Sequence, residues 1–360
     1  MPAELAAVTT VLESFILQTN MKLQNLIETH WYSRLNPVLA FLLYPASLIY
    51  AAIVKIRRWF FKIGFKPIYS VPVPLVIVGN IGVGGAGKTP LTKYLLQTLQ
   101  DNGIKVGVIL RGYKSTIATP HLVVATDESA AVGDEALIYA QAGFKVAIAA
   151  KRIEAAKLLL QTFPEIQLII ADDGMQHYYL ARDFEICVVD GTRYFGNQSL
   201  LPNGPLREPL SRLNSVNAVV INSEISAAKR PKIFSRLSVP VYTQSLEFID
   251  LYNPQSQQSC AIRDFPARKI MALAAIGNPQ RFFDYLQEHG IKINATRVFP
   301  DHYHYKASDI DCEYAIITTE KDYTKLAKFK KDNIWIARVQ AKLDSNQLVT
   351  QIINLLEPHY

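Results

Sequence analysis

Residues Leu75 to Asn80 read Leu-Val-Ile-Val-Gly-Asn, an apolar run of strand length, and lead into Gly82-Val-Gly-Gly-Ala-Gly-Lys-Thr89. The second segment has the G-x-x-x-x-G-K-T spacing of a phosphate-binding loop. Glycines at 82, 84, 85 and 87 let the backbone turn tightly and aim its N–H groups inward at anionic oxygens. Lys88 adds a point charge for β- and γ-phosphates, and Thr89 offers a hydroxyl to Mg²⁺. Helical spacing starts near Lys88 and carries Leu91, Tyr94, Leu95 and Leu99, so the positive end of a helix faces the same anion. A chance glycine-rich turn would lack the strand before and the helix after. The chain is expected to bind ATP or GTP.

With 360 residues, 49% of them hydrophobic, the chain can bury a large core in two domains or one elaborated domain. Cys187, Cys260 and Cys312 are scattered, which fits a reducing compartment and argues against structural zinc or disulfides. The net charge of +7 would suit nucleic acid if it were spread along the chain, but Lys55, Arg57, Arg58, Lys62 and Lys66 form one acid-free cluster. No nucleic acid is therefore expected as a partner, and no protein partner is implied. The cluster follows the uncharged run Val38 to Val54, with Trp59, Phe60, Phe61 and Phe65 among the basic residues. An apolar helix, an aromatic belt and a positive flank describe a membrane attachment. The run has 17 residues, whereas a spanning helix wants roughly 20. Pro45 would also kink it. A helix embedded in or lying on the bilayer face is favoured over a clean span; the other reading is a buried core helix. A cleaved signal peptide would not begin so far from Met1 with its charges after the apolar part.

Residues 1–20 form a weakly amphipathic extension, with Met21 as an alternative start, and 21–66 form the membrane-associated segment. From 67 to 240 strands and helices alternate, arguing a mainly parallel sheet covered on both faces. Strands are expected at Leu75–Asn80, Val106–Arg111, His121–Ala125, Lys145–Ala149, Leu168–Asp172, Glu185–Asp190 and Ala218–Asn222. Residues 241–268 read as a β-ribbon around the polar turn Asn253 to Ser259, and 269–360 as a second, smaller α/β domain. Its strands are expected at Ile270–Ile276, Ala315–Thr319 and Ile334–Val339. The fold class is thus an α/β phosphate-loop core, a smaller α/β domain and an N-terminal membrane-associated helix.

Leu168-Ile-Ile-Ala-Asp-Asp173 is an apolar strand ending in two carboxylates. Parallel strands deliver their C-terminal ends to the nucleotide crevice, so Asp172 and Asp173 are candidates for the Mg²⁺ shell, or cap the following turn. Gln176 and His177 come next; His177 is either a supporting polar residue or a packing one. Asp134 precedes an apolar helix, as an N-cap or as a carboxylate near the γ-phosphate able to accept a hydroxyl proton. Phe195-Gly-Asn197 and Leu200 to Pro209 form a long Pro/Gly loop suited to binding. Within it Arg207 is a candidate phosphate ligand and Glu208 a metal or hydroxyl ligand, unless the two merely pair at the surface. Phe299 to Tyr305 gathers Asp301, His302, His304 and aromatics without a zinc spacing. Thr319-Glu-Lys-Asp322 resembles a nucleotide-facing loop but is not the guanine-reading N-K-x-D.

Taken together these segments resemble the tetraacyldisaccharide 4'-kinase family over essentially 21–360. Further words of the resemblance are Arg111-Gly-Tyr113, Gly133-Asp-Glu135, Asp190-Gly191 and Phe299-Pro-Asp-His302. The resemblance implies a phosphotransferase of lipid A biosynthesis that moves the ATP γ-phosphate to the 4'-hydroxyl of a lipid disaccharide 1-phosphate. It implies Mg²⁺ and attachment at the cytoplasmic face of the bacterial inner membrane. Gly82, Val83, Gly84, Gly85, Ala86, Gly87, Lys88, Thr89 and Pro90 would hold the nucleotide. Thr89, Asp172, Asp173 and Glu208 would hold the metal. Arg111, Tyr113, Gln176, His177, Asn197 and Arg207 would bind the acceptor, and Asp134, His302 and Lys88 would act in catalysis. The sequence departs from the family at Met175, where Phe is common, and at Lys114-Ser115, where Gly-Arg is common. Tyr303 separates two histidines, and His302 is the one assigned. A membrane-tethered ATPase or GTPase switch is the rival reading; the missing N-K-x-D disfavours the GTPase form, and Val83 disfavours the partitioning-ATPase loop, which carries Lys there.

Overall fold

The computed structural model describes residues 23, 25–112, 115–223, 230–266 and 269–357. Two units are distinguished: Met1–Arg58, Ile81–Val83 and Arg193–Leu210 form the first, and Trp59–Asn80, Gly84–Thr192 and Ser211–Tyr360 the second.

The first unit is built on helix α1 (Pro37–Lys62), whose last turn runs into the second unit. Its 26 residues extend about 39 Å at 1.5 Å per residue, enough for a hydrocarbon layer of roughly 30 Å. The helix continues past Val54 through the basic flank to Lys62, and it passes through Pro45 without interruption. Phe41 is 81% exposed, Ile49 64% and Ile53 57%, so this is not a core helix. Its other face is pinned to the 193–210 loop: Ser47 Oγ donates to Leu200 O at 2.8 Å and Tyr50 Oη to Arg207 O at 3.1 Å. Ahead of the helix, buried His30 bonds Asn203 O and Oδ1 through Nε2, and the Trp31 indole donates to Pro202 O.

The second unit is one sheet. Its strands and helices are β1 (Leu75–Gly79), α2 (Lys88–Asp101), β2 (Val106–Leu110), β3 (His121–Val123), α3 (Ser129–Val132), α4 (Asp134–Gln141), β4 (Lys145–Ile148), α5 (Arg152–Thr162), β5 (Leu168–Asp172), β6 (Phe184–Asp190), β7 (Ala218–Asn222), β8 (Val241–Asn253) and β9 (Gln258–Cys260). They continue with β10 (Ile270–Ala274), α6 (Pro279–Glu288), β11 (Ala295–Val298), β12 (Ala315–Thr318), α7 (Glu320–Leu326), β13 (Ile334–Leu343) and α8 (Gln347–Ile353). The strand order is β11-β10-β12-β13-β8-β7-β6-β1-β5-β2-β4-β3, with β9 on β8. All neighbours are parallel except β3–β4, β8–β9 and β8–β13.

Both α/β stretches therefore belong to a single sheet. The expected ribbon is present as β8 and β9, and β8 also pairs parallel with β7 and antiparallel with β13. Period-2 alternation shows why: Ile270, Ala272 and Ala274 face one apolar cluster, while Met271, Leu273 and Ala275 face another. In the other half, Val76, Val78, Val108, Ile170 and Ile186 meet Leu91, Leu95, Leu96 and Leu99 of α2. Strand β11 was not anticipated; its alternating half-exposed residues lie at the sheet edge, where the apolar signal is weakest.

Candidate active site

The parallel strands β7, β6, β1, β5 and β2 end on the same side, and each contributes a polar residue there: Asn222, Asp190, Asn80, Asp172 and Arg111. In the second unit, Gly84 to Thr89 leads from β1 into α2. Gly87 caps that helix at φ 89°, a left-handed conformation, and a Cβ there would lie 2.0 Å from Asn222 Nδ2. Asn222 Nδ2 donates to Ala86 O at 3.2 Å, and Gln244 Nε2 to Gly87 O at 3.3 Å. Strand register places Asn222 beside Gln244, so two neighbouring strands brace the loop. Arg281 of α6 donates to Asn222 Oδ1 at 3.3 Å. Lys88 Nζ lies 3.3 Å from Asn80 Oδ1 and 3.4 Å from Asp173 Oδ1. Gln176 Nε2 donates to Asn80 O at 3.0 Å, behind the same lysine. Pro90 stands in the first turn of α2, where the missing N–H has no intrahelical partner to lose.

Asp172 is buried, and its Oδ2 accepts from the Tyr139 phenol at 2.7 Å. Burial pushes its carboxyl up to about 6 against the pull of Lys88 and Tyr139, with Asp173 and Glu135 adding to the rise. Thr89 lies near enough to the same phenol to influence it, so a hydroxyl and a carboxylate flank Tyr139. Asp173 sits at φ 50°, left-handed for a non-glycine residue. Arg152, 2% exposed, holds that turn by donating through Nη2 to the carbonyls of Asp172 at 2.8 Å and Asp173 at 2.9 Å. Among the described residues no three His, Cys, Asp or Glu side chains converge as a metal cage. A hydroxyl and carboxylates are nevertheless the donor set that Mg²⁺ uses alongside phosphate oxygens and water, so the residues present fit that ion.

Asp134 does not cap its helix; Gly133 takes that position, and the carboxylate turns elsewhere. His302 Nδ1 lies 3.0 Å from Asp134 Oδ2, and Lys325 Nζ 2.8 Å from the same oxygen. Burial raises the carboxyl, but His302, Lys325 and Lys321 together hold it below the ordinary value. His302 sits at φ 61°, while His304 is exposed. Thr319 caps α7, and the residues after it are held by side-chain pairs: Glu320 binds Lys93, Lys321 binds Glu135 and Asp301, and Asp322 accepts from Tyr305.

The remaining predicted residues divide. Arg111 is exposed just past β2, and Tyr113 lies outside the described residues. The His177 ring meets Tyr179 edge-on, with its carbonyl accepting from Arg182. In the first unit Asn197 uses its side chain within its own loop, donating to Asn203 O and accepting from Ser199 N. There Gly82 bridges to Leu206, Val83 N donates to Pro205 O at 2.8 Å, and Arg207 N donates to Ile81 O at 2.7 Å. Glu208, 1% exposed, follows in the same strap. Tyr139, Arg152, Asn222, Gln244, Arg281 and Lys325 were not singled out by sequence; the polar ends of Val-Val-Ile-Asn222 and Thr-Gln244 were the available signal.

Residues 39–357 match the family model described as tetraacyldisaccharide-1-P 4'-kinase, LpxK. A tetraacyldisaccharide 4'-kinase of Chromobacterium violaceum is 43% identical over 324 residues, covering 88% of this chain and 94% of that protein. One from Shewanella halifaxensis is 39% identical, with 93% and 99% covered. The crystal structure of LpxK from Aquifex aeolicus in complex with ATP is 28% identical with a TM-score of 0.77, covering 89% of this chain and all of that one. On the match of phosphate loop, sheet and sequence over nearly its whole length, this chain belongs to the tetraacyldisaccharide 4'-kinase family.

Proposed function

We propose that this protein transfers the γ-phosphate of ATP to the 4'-hydroxyl of a tetraacylated glucosamine disaccharide 1-phosphate, giving the 1,4'-bisphosphate. The observation that carries this reading is the Asp134–His302 hydrogen bond of 3.0 Å in the unit that holds Lys88. Transfer to a sugar hydroxyl needs a proton acceptor, and a buried carboxylate kept ionised supplies one. Asp134 takes the hydroxyl proton as the acceptor oxygen attacks the γ-phosphorus; the bond to the β,γ-bridging oxygen breaks, and ADP leaves with that electron pair. His302 orients the carboxylate and shares the proton. Lys88 and the backbone N–H groups of Gly84 to Thr89 stabilise charge on the transferring group, which is positional and electrostatic catalysis.

Thr89, Asp172 and Asp173 would hold Mg²⁺. The bound ion would offset charge on the phosphate oxygens. Arg111, Tyr113, Gln176 and His177 serve the acceptor side. Helix α1, with its exposed apolar face and basic end, attaches the protein to the cytoplasmic face of the inner membrane, where the acyl chains of the acceptor stay in the bilayer. Tethering raises the effective concentration of that acceptor. The test is ATP consumption with and without the acylated disaccharide: a kinase consumes ATP only with acceptor, whereas equal hydrolysis without it would point to a switch ATPase.

A further inference from the structure

Helix α7 presents Lys321 and Lys325 four residues apart, on one face, toward Asp134 and Glu135 at the start of α4. Lys325 Nζ and Asp134 Oδ2 are 2.8 Å apart, with side chains only 6% and 5% exposed. Lys321 Nζ lies 3.0 Å from Glu135 and 3.2 Å from Asp301. At the head of α7, Glu320 holds Lys93 of α2 at 2.9 Å. Asp322 accepts from Tyr305 Oη at 2.9 Å and from Ala275 N at 3.1 Å, which ties the His302-bearing loop to the end of β10. One short helix thus grips α2, α4 and the histidine loop.

We propose that Lys325 is a positioning residue for phosphoryl transfer: its ammonium fixes the Asp134 carboxylate through Oδ2 and leaves Oδ1 to receive the acceptor proton. This rests on Asp134 being the proton acceptor. Among the described residues the His302 hydrogen bond and the Lys325 ion pair both fall on Oδ2 of this carboxylate. The charged groups facing it are His302 and Asp301 from the loop, Lys321 and Lys325 from α7, and Glu135 on its own helix, with the Tyr305 phenol nearby. Removing one buried ammonium leaves the carboxylate both less constrained and easier to protonate.

The test is kcat against pH at saturating ATP and Mg²⁺ for full-length wild type, Lys325→Met, Lys325→Arg, Lys93→Met and Asp134→Ala. In Lys325→Met, kcat should fall roughly tenfold or more through misplacement, with the KM for ATP within about twofold of wild type. Its acid limb should move up by roughly 1–3 pH units. Lys93→Met, which breaks the other end of α7, should leave the limb in place. A folded Lys325→Met enzyme with the wild-type limb overturns the proposal. Should Lys325→Met fail to fold, Lys325→Arg decides: its limb should stay where the wild-type limb lies, and an upward shift overturns the proposal. Near-normal turnover in Asp134→Ala would remove the proton-acceptor reading itself, whereas an inactive Asp134→Ala with an unmoved Lys325→Met limb would remove only the role of Lys325.

Discussion

Replacing Asp172 by Asn should stabilise the nucleotide- and metal-free protein while disabling it. Burial pushes the folded carboxyl up to about 6 from an ordinary value of 3.8, against the pull of Lys88 and of the Tyr139 hydrogen bond. Between these values the folded state retains a proton that the unfolded chain has released, so stability falls as pH rises from about 4 to 6 and stays lowered above that. At 1.36 kcal/mol per pH unit the deficit is about 3 kcal/mol. Asparagine removes the charge, can still accept from Asp173 N, and can donate to the Tyr139 oxygen. At pH 7.5 without nucleotide or metal its melting temperature should exceed wild type by about 4–5 °C, and the gap should close toward pH 4. With Mg²⁺ and ATP the order should narrow or invert, because the wild-type carboxylate then faces a cation. Melting curves at pH 4, 5.5 and 7.5, with and without Mg²⁺–ATP, read this directly. A variant no more stable than wild type at pH 7.5, or a gap independent of pH, would refute the argument.

Three further outcomes are expected. Lys88→Ala should cut turnover by roughly 10³-fold or more with the melting temperature little changed, measured as labelled product per minute. Asp134→Ala/His302→Ala should be scarcely slower than the worse single variant, because groups acting as one unit are non-additive, and ATP affinity by calorimetry should stay near wild type in all three. Phe41→Glu/Ile49→Glu, on the exposed face of α1, should shift the protein from membrane pellet to supernatant without changing ATP binding, since buried apolar area drives such attachment.

Local pattern revealed the phosphate loop, Asp172 and most strands because each signal is contiguous: an apolar run, a glycine spacing, a strand-end carboxylate. Asp134 shows the limit. Its place at the start of an apolar helix fits a cap equally well, and only the approach of His302 and Lys325, far along the chain, assigns its carboxylate elsewhere. Arg152 is similar, being an ordinary first residue of a helix, and its burial against the 172–173 carbonyls depends on the packing of α5 over β2 and β4. Two α/β stretches around a ribbon suggested separate domains because local sequence does not carry strand order; β8, 13 residues long, bridges them into one sheet. The apolar run in α1 was read as short because it ends at the first lysine, yet the basic flank extends the same helix.

Transfer of phosphate to a lipid hydroxyl is directly measurable. Membranes bearing the full-length protein, incubated with γ-labelled ATP, Mg²⁺ and the tetraacylated disaccharide 1-phosphate, test it most directly. Label should enter the lipid fraction as a second phosphate monoester at the 4'-position, and Lys88→Ala and Asp134→Ala should leave the lipid unlabelled. Label released only as inorganic phosphate, at the same rate without the disaccharide, would contradict it.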